Sequence, residues 1–462
     1  MSLHNYWPFI LLMPSDIDKR VTFLQTLFSS PTIFEVLTLF DKTEEICQKD
    51  IVTILKHHSN KTVISVLKKL VRLGLLEEIQ RVLSSRNRVA RMKCYRLTEL
   101  GKWYNIFLKD VKTLDRNILR KLLEEITLLF VDKVMSLRDD LAMKHAEIIN
   151  VLILNILKSV ARNKKNRSSP EVVIFGSIAF DIYLEKDKLM FFSGGSGANT
   201  AFNCAKWGLS TTFITRIPVN MLGLKLVVEL VDYGVDLSLS QVDPKAKATL
   251  CVIREWYTDD PEIVCNYDTI NPPVITKLNN NIISLCNEVK AVYLGEGICS
   301  LFIELLNSID RNNKIIIYRP SSESLKKYFN ECKDVLKYNP ILILNSKKYK
   351  ILRDKGLDIP YDLFKLGVER IIVTKGSRGV SVYTFEPRET IDISVKQKVD
   401  VVDTVGAGDV FTATLLHQLL QGKNIITASQ YAVEVATQSI SILGPRKIDK
   451  LPRNQDIISL IS

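Results

Sequence analysis

The sequence predicts a mainly α-helical domain over residues 1–110 and an α/β domain, with a mostly parallel sheet between layers of helices, over residues 171–462. Three observations lead to this prediction. Strands alternate with helices after Pro170, two glycine-rich turns in that region each open a helix, and two helices followed by a hairpin come before it. A length of 462 residues also favours more than one domain.

Basic residues are concentrated in the first 170 positions. The chain carries 63 Lys and Arg against 51 Asp and Glu, and residues 1–170 hold 29 basic and 18 acidic residues, which is +11 of the net charge of +12. Residues 51–100 alone carry 11 basic and three acidic side chains. Such a surplus is typical of a surface that binds a polyanion, although a solvated basic face has the same composition.

Two helices are predicted within this basic region. Glu45–His57 forms the first, His58–Asn60 supplies turn and capping residues, and Lys61–Leu73 forms the second helix, which Gly74 ends. The buried stripe of the second helix consists of Val63, Val66, Leu67, Leu70 and Leu73. Its outward face carries Lys61, Thr62, Ser65, Lys68, Lys69 and Arg72.

A basic hairpin is predicted next, over Leu76 to Leu97, with Ser84–Asn87 as its turn. The basic residues of its turn and returning arm are Arg86, Arg88, Arg91, Lys93 and Arg96. A helix with a basic front fits the major groove of DNA, and a basic hairpin reaches the neighbouring backbone. The order of helix, helix, hairpin and a further helix resembles winged helix-turn-helix transcription regulators. This resemblance implies double-stranded DNA as a partner, whereas other winged modules bind proteins.

Residues 111–160 are predicted to form a helical connector, and residues 161–170, rich in Lys, Arg, Asn and Ser, a linker. Long helices after a winged module often pair with a second copy, so we expect a homodimer, which would match a two-fold DNA site. Packing of the connector onto the following domain is an equally good interpretation.

The α/β prediction depends on short apolar strands separated by helices. They are Val172–Phe175, Phe213–Ile217, Ala291–Leu294, Lys314–Tyr318, Ile341–Leu344 and Ile371–Val373. In such a sheet, ligands bind beyond the carboxyl ends of the strands.

A glycine-rich turn near the carboxyl terminus indicates phosphoryl transfer. Residues 403–409, Asp-Thr-Val-Gly-Ala-Gly-Asp, run from an apolar strand into an apolar helix. Backbone N–H groups and the positive end of the helix dipole converge there, so the amides of Gly406, Ala407 and Gly408 can hold an anion. Asp409 can take the proton from an attacking hydroxyl. A plain tight connection is the alternative for this turn alone.

A second glycine-rich turn lies upstream, at residues 193–201, Ser-Gly-Gly-Ser-Gly-Ala-Asn-Thr-Ala. Together the two turns resemble the signatures of the ribokinase-like (PfkB) carbohydrate kinases. Further segments follow that family's order: Gly176–Asp181, Asn220–Gly223, Gly234–Asp236 and Val373–Gly379. The resemblance covers residues 171–462.

The resemblance implies the roles of further residues. Asp181 and Asn199 would bind sugar hydroxyls, together with the backbone of Gly194 and Gly195, and segment Thr249–Cys265 would form a small β lid over the substrate. The residues that would line the nucleotide are Asn345, Thr374, Gly376, Gly379, Asp403 and Thr404. The implied cofactors are ATP and Mg²⁺, the metal being held mainly through the nucleotide, with no protein ligand assigned.

The chain departs from the family pattern at several positions. Where the family places Asn-x-x-Glu, this chain has Asn345-Ser346-Lys347-Lys348, so a lysine occupies the glutamate position. Ala179, Ser196 and Asn220 replace a common Asn, Lys and Asp, and the first two differences argue against ribose as the substrate.

Two functions are compatible with these features. The first is ATP-dependent phosphorylation of a primary hydroxyl on a sugar, nucleoside or related polyol, with an attached DNA-binding domain linked to transcription control. The alternative is a transcription regulator whose kinase-like domain senses a sugar or nucleotide with little or no activity. Intact Asp409 favours the kinase, and Lys348 favours the sensor.

Composition also bounds the cellular setting. No apolar stretch is long enough to span a membrane, so we expect a cytoplasmic protein with no membrane partner. The eight cysteines are widely spaced without a Cys-x-x-Cys pair, which predicts reduced, mostly buried thiols and neither a zinc site nor a disulfide framework.

Overall fold

The computed structural model of the chain describes residues 22, 25, 29–41, 43–85, 88–107, 115–136, 144–162, 169–186, 188–266, 272 and 274–446. The chain divides into two compact units, Met1–Met143 and Lys144–Ser462. The second unit therefore begins inside the predicted connector rather than after the predicted linker.

The first unit combines helices with one small sheet. Its helices are α1 (Pro31–Thr38), α2 (Gln48–Ile54), α3 (Asn60–Arg72), α4 (Glu99–Phe107) and α5 (Arg116–Ser136). Its strands are β1 (Glu45–Cys47), β2 (Leu76–Ser85) and β3 (Arg88–Leu97), paired antiparallel in the order β1, β3, β2.

Helix α3 lies within one residue of its predicted position. The Ser59 side chain accepts a hydrogen bond from the Thr62 backbone N–H at 3.1 Å, and Gly74, with φ of +72°, follows the helix end. The buried face consists of Val63, Val66, Leu67 and Leu70, while Leu73 is only partly buried. Burial of each such side chain contributes about 2 kcal/mol of hydrophobic free energy, which holds α3 against the core.

The prediction of one helix over Glu45–His57 is wrong. Residues 45–47 form β1, which pairs with β3, and helix α2 occupies only Gln48–Ile54. Ile46 is buried in the core of this unit. Pairing with the hairpin thus overrides the local helical periodicity at the start of the segment.

The hairpin forms with a shorter turn than predicted. Strands β2 and β3 pair over ten residues each, from Leu76 opposite Leu97 to Ser85 opposite Arg88. Ser84 and Ser85 therefore belong to β2 rather than to the turn. Arg86 lies outside the described residues, and of Arg88 only the backbone is described.

The second unit alternates strands and helices. Its strands are β4 (Val172–Phe175), β5 (Ala179–Glu185), β6 (Lys188–Gly194), β7 (Thr211–Ile214), β8 (Arg216–Pro218), β9 (Gln241–Asp243), β10 (Thr249–Arg254), β11 (Glu262–Cys265), β12 (Ala291–Leu294), β13 (Ile315–Tyr318), β14 (Ile341–Asn345), β15 (Arg370–Thr374), β16 (Val380–Thr384) and β17 (Glu389–Ile393). Its helices are α6 (His145–Arg162), α7 (Ser196–Lys206), α8 (Met221–Asp232), α9 (Asn280–Glu288), α10 (Cys299–Ser308), α11 (Ser322–Lys327), α12 (Phe329–Leu336), α13 (Ser346–Asp354), α14 (Tyr361–Lys365), α15 (Ala407–Leu420) and α16 (Ile425–Ser439).

An eight-stranded sheet forms the centre of this unit, in the order β17, β16, β15, β14, β13, β12, β4, β7. The strands from β15 to β7 pair in parallel, and β16 and β17 add an antiparallel edge. Strands β4, β7 and β12 are buried at every residue, because helices cover both faces of the sheet. The mostly parallel sheet predicted from the strand pattern is therefore confirmed.

A second, four-stranded sheet has the order β11, β10, β5, β6. It contains the segment expected to form the lid, and a small apolar cluster around Tyr183, Ile253 and Trp256 packs on it. The loop between β10 and β11 consists of residues 255–261.

Helix α6 contradicts the predicted boundaries. It runs from His145 to Arg162, so Ala161 and Arg162 are helical rather than part of a linker, and residues 163–168 lie outside the described residues. Ile153, Leu157 and Ala161 are buried in the core of the second unit. The carboxyl-terminal part of the predicted connector therefore packs onto the α/β domain, which was one of its two interpretations.

The expectation of reduced thiols is wrong for four of the cysteines. Cys47 on β1 is joined to Cys94 on β3, and Cys251 on β10 to Cys265 on β11. Each pair lies directly opposite in the strand register, which sequence spacing does not reveal. The other four, Cys204, Cys286, Cys299 and Cys332, are free and buried. None of the helices in the described residues combines the length and apolarity needed to cross a membrane.

Candidate active site

Asp409 lies in the first turn of α15, directly after the glycine-rich turn. Gly406 is the N-cap residue and has φ of +81°, a conformation that favours glycine, and a Cβ there would lie 2.7 Å from the Pro445 carbonyl oxygen. The Ala407 N–H donates to the Thr404 carbonyl oxygen at 3.2 Å. The amides of Gly406 and Gly408 are therefore better placed than that of Ala407 to hold an anion.

Three side chains donate hydrogen bonds to the buried Asp409 carboxylate. Asn199 Nδ2 lies 3.0 Å from Oδ2, and Ser196 Oγ lies 2.7 Å from Oδ1. Both donors are in the first turn of α7, so the two predicted glycine-rich turns meet at this carboxylate. The third donor, Arg319, was not predicted from the sequence.

Arg319 follows β13 directly and forms a buried ion pair with Asp409. Its NH1 lies 2.5 Å from Asp409 Oδ1 and 2.6 Å from Ser196 Oγ. Burial opposes the charge of Arg319, but the neighbouring Asp409 carboxylate outweighs it, so the pKa of the guanidinium is raised above its ordinary value. The rule that ligands bind beyond strand ends could have singled out this residue, since it comes immediately after an apolar strand.

Asp181 lies on β5, beside Gly194 of β6. A Cβ at residue 194 would overlap the Asp181 carboxylate, so the close approach of strand and side chain requires glycine. Burial raises the pKa of Asp181 to about 7; the Arg446 guanidinium opposes that shift, whereas Asp409 and Asp403 add to it. Gly195, also predicted to contact substrate, is the N-cap residue of α7.

Arg446 is a second buried arginine that the sequence did not indicate. Its Nε donates to Asn199 Oδ1 at 3.2 Å, and its NH1 forms an ion pair with Glu229 at 2.9 Å. The guanidinium carbon lies 5.0 Å from the centre of the Phe202 ring. Arg446 thus fixes the orientation of the Asn199 amide, so that its nitrogen faces Asp409.

Lys348, in the first turn of α13, is partly buried close to the charged side chains of Arg319 and Asp409. Burial and the Arg319 guanidinium lower the pKa of Lys348 to about 7, while Glu296 and Asp409 oppose the shift. Glu296 follows β12 and accepts a hydrogen bond from the Gly197 N–H at 3.3 Å. Glu296, which follows a different strand, therefore brings a carboxylate near Lys348.

Four of the six residues expected to line the nucleotide lie at two neighbouring turns. Asn345 caps α13, its Oδ1 accepting from the Lys348 N–H at 2.9 Å, and Thr374 ends the adjacent strand β15. Gly376 begins the turn after β15, whereas a Cβ at Gly379 would overlap the Ile393 carbonyl oxygen, so Gly379 packs against β17. These positions are compatible with a nucleotide over Asn345, Thr374 and Gly376.

The tip of the lid reaches the same two turns. Asp259 Oδ2 accepts a hydrogen bond from Ser377 Oγ at 2.5 Å, and Asp260 Oδ1 one from Lys347 Nζ at 2.6 Å. The tip of the segment predicted to form the lid therefore contacts the two turns that carry Asn345 and Gly376.

Asp403 and Thr404 differ from the prediction that they contact the nucleotide. Asp403 is fully buried, and its carboxylate accepts hydrogen bonds from Tyr183 Oη at 3.0 Å and from the backbone N–H groups of Val405 and Gly444. Thr404 Oγ1 donates to the Thr258 carbonyl oxygen at 2.6 Å. The hydrogen bonds of Asp403 stabilise the glycine-rich turn, and the hydrogen bond of Thr404 joins this turn to the lid segment. The side-chain oxygen atoms of both residues are therefore engaged within the protein.

Metal binding at this cleft would depend on scattered carboxylates. Within the described part of the second unit, no three His, Cys, Asp or Glu side chains converge as a ready-made ion site. Asp409 and Glu296 offer oxygen atoms of the kind that Mg²⁺ prefers. The arrangement fits a metal that is held chiefly by the phosphates of a nucleotide.

The residues predicted to bind DNA occupy the exposed face of α3 and the hairpin. Those of α3 are all exposed: Lys61, Thr62, Ser65, Lys68, Lys69 and Arg72. Arg91 and Lys93 on β3 are exposed as well, and Lys93 pairs with Glu78 at 2.7 Å. The first unit thus presents a basic surface next to the turn that precedes α3.

Comparison with known proteins assigns the second unit to a family. A model described as pfkB family carbohydrate kinase matches residues 169–451. A ribokinase of Arabidopsis thaliana is 24% identical over 359 residues, which cover 68% of this chain and 87% of the relative.

Solved structures share the fold of this unit. A fructokinase with bound ATP from Xylella fastidiosa superposes with a TM-score of 0.54 and 16% identity, covering 64% of this chain and 98% of the other. Adenosine kinase from Schistosoma mansoni in complex with 2-fluoroadenosine superposes with a TM-score of 0.53 and 15% identity, covering 63% of this chain and 100% of the other. Because the family model spans more than half of the 462 residues, the chain belongs to the pfkB family of carbohydrate kinases.

Proposed function

We propose that the second unit is an ATP-dependent kinase that phosphorylates a primary hydroxyl of a sugar, nucleoside or related polyol. The observation that carries the proposal is the position of Asp409, which lies at the positive end of α15 within hydrogen-bond distance of Asn199 and Ser196. A carboxylate beside a polar pocket and an anion-binding helix end is the arrangement that in-line phosphoryl transfer requires.

In the proposed reaction, Asp181 and Asn199 orient the substrate, and Asp409 accepts the proton of the attacking hydroxyl. The amides of Gly406 and Gly408 stabilise negative charge on the transferred group. Arg319 stays near Asp409 and offers a further positive charge to that group. ATP would supply the phosphoryl group, with Mg²⁺ screening its charge, and the closed lid would exclude water.

Replacement of the base tests this proposal. We expect Asp409→Asn to lower kcat by at least about a thousandfold while nucleotide and sugar binding change little, because the amide keeps the shape and loses the proton acceptor. A coupled assay of ATP consumption over a panel of sugars and nucleosides measures kcat, and calorimetry measures binding. Asp334→Asn, a half-exposed ion-pair residue on α12, is the control. Unchanged turnover in Asp409→Asn contradicts the mechanism.

A sensor with little or no activity is the second candidate. Lys348 at the position of the family glutamate favours it, as does the ion pair that occupies Asp409 Oδ1. The same substrate panel separates the two candidates. A compound that binds with micromolar affinity and is never phosphorylated supports the sensor, whereas one turned-over substrate supports the kinase.

We also propose that the first unit binds duplex DNA through α3, as a winged helix-turn-helix module linked to transcription control. The exposed basic face of α3 and the basic strand β3 support the proposal. Retention of the full chain on duplex DNA at low salt tests it, and absence of retention would remove the regulatory half of the function.

A further inference from the structure

Two histidines and a glutamate of the first unit converge on a single point. His57 Nε2 lies 2.7 Å from Glu35 Oε2, and His58 Nε2 lies 3.0 Å from the same oxygen. The ligand atoms of the three residues all lie within 4.8 Å of one another. Glu35 is on α1, and the two histidines are in the turn between α2 and α3, so the group joins two parts of the fold.

The chemistry of this group suits a transition-metal ion. Glu35 contributes a carboxylate oxygen, and each histidine contributes its Nε2 atom. Neutral imidazole nitrogens together with one carboxylate are a common ligand set for zinc. Both histidines direct Nε2 at the carboxylate, and therefore at the position where an ion would bridge the three groups.

We propose that Glu35, His57 and His58 form a zinc site, with a water molecule as the fourth ligand. Only small side-chain rotations would bring ligand atoms at these separations around one ion, and His57 and Glu35 are accessible enough for an ion to enter, with side chains 58% and 37% exposed. The site is independent of the kinase chemistry, and its existence does not depend on DNA binding.

The site has a mechanical consequence. His58 directly precedes Ser59, the N-cap residue of α3. A bound ion would fix α1 to the turn that starts α3, and would stabilise the first unit because it binds the folded state alone. The second candidate group in the described residues, Glu45 with Cys47 and Cys94, has its two sulfur atoms in a disulfide, so it is the weaker ligand set.

The test is titration of the metal-free full chain with Zn²⁺ by calorimetry, and with Co²⁺ by visible absorption, which reports the ligand geometry. We expect one ion per chain. Three variants each remove one direct ligand: His57→Ala, His58→Ala and Glu35→Gln. Each should weaken binding by at least about 100-fold, because loss of an outer-shell partner alone typically costs up to about 100-fold. His145→Ala, an exposed histidine of the second unit, is the matched control and should bind as the wild type does.

A cysteine variant separates the two candidate groups. Cys47→Ser combined with Cys94→Ser should retain the ion, and circular dichroism establishes that every variant is folded. Absence of stoichiometric binding by the wild-type chain overturns the proposal. Binding that survives His57→Ala with His58→Ala, or that is lost only in the cysteine variant, overturns it equally.

Discussion

Asp409 shares one carboxylate oxygen with Arg319 and Ser196, and the other with Asn199. An oxygen held in a charge-assisted hydrogen bond has to be released before it can accept a proton. Oδ2, held only by the neutral Asn199 amide among the contacts described above, is therefore the oxygen that we expect to face the substrate hydroxyl. Arg446 supports this arrangement because it binds the amide oxygen of Asn199.

Lys348 is the residue at which the chain departs most from its family, and its replacement is informative. We expect Lys348→Glu to raise kcat by about tenfold or more, because a carboxylate can organise hydrated Mg²⁺ and an ammonium group cannot. The measurement is the rate of ATP consumption as a function of Mg²⁺ concentration.

Lys348→Met is the control for this change, since it removes the charge without adding a ligand, and it should give no gain. If Lys348→Glu instead abolishes turnover that the wild type performs, Lys348 contacts the phosphates directly.

Asp181 gives a pH-dependent prediction. Its pKa is raised from 3.8 to about 7 by burial, so the folded state holds a proton that the unfolded state releases between these values. Stability contributed by this group is therefore present below about pH 4 and is lost as pH rises to 7. Asp181→Asn removes this titration. The change in the free energy of unfolding caused by the substitution should therefore be more stabilising at pH 8 than at pH 4, by up to about 4 kcal/mol, since each pKa unit is worth about 1.4 kcal/mol.

Calorimetric unfolding of wild type and variant at the two pH values checks this expectation. Sugar binding should weaken in the same variant, because Asp181 is proposed to orient the substrate. A residue that binds substrate is often kept at a cost in stability. Asp334→Asn, at a half-exposed position, should show no such difference between the pH values. Equal stability of wild type and Asp181→Asn at pH 8 would contradict the buried-charge explanation.

At the scale of elements, the sequence predicted α3 well and β1 poorly. Helix α3 has its own cap, an apolar stripe and a terminating glycine, so local signals define it. Strand β1 has only three residues, and it exists because β3 offers an edge to pair with. The disulfides, which join residues 47 and 14 positions apart in sequence, depend on the same cross-strand registers.

The basic face of α3 gives a prediction at this scale. Lys68→Ala combined with Lys69→Ala should weaken duplex binding and reduce the slope of affinity against salt concentration by about 2, because two phosphate contacts are lost. Binding is measured by fluorescence anisotropy at several salt concentrations. Lys326→Ala with Lys327→Ala, two exposed lysines of α11, removes the same charge from the second unit and should leave the slope unchanged.

For the whole molecule, we predict a homodimer formed through α5. This helix exposes the apolar side chains of Leu123 by 60% and Leu128 by 62%, which contact with a second copy would bury. Light scattering should give about twice the chain mass of 52.6 kDa, and Leu123→Ser with Leu128→Ser should shift the chain towards monomer. A monomer mass for the wild type at micromolar concentration contradicts the prediction.

The sequence by itself determined the α/β class, the six parallel strands β4, β7, β12, β13, β14 and β15, and the presence of two glycine-rich turns, because apolar periodicity, helix caps and glycine spacing are local properties. Only the tertiary structure decided that Arg319 and Arg446 reach the site, that Asp403 is internal, and that α6 belongs to the second unit. Those features arise where segments far apart in the chain come into contact, and the physical reason is that burial and charge pairing depend on distances in space, which neighbouring residues do not encode.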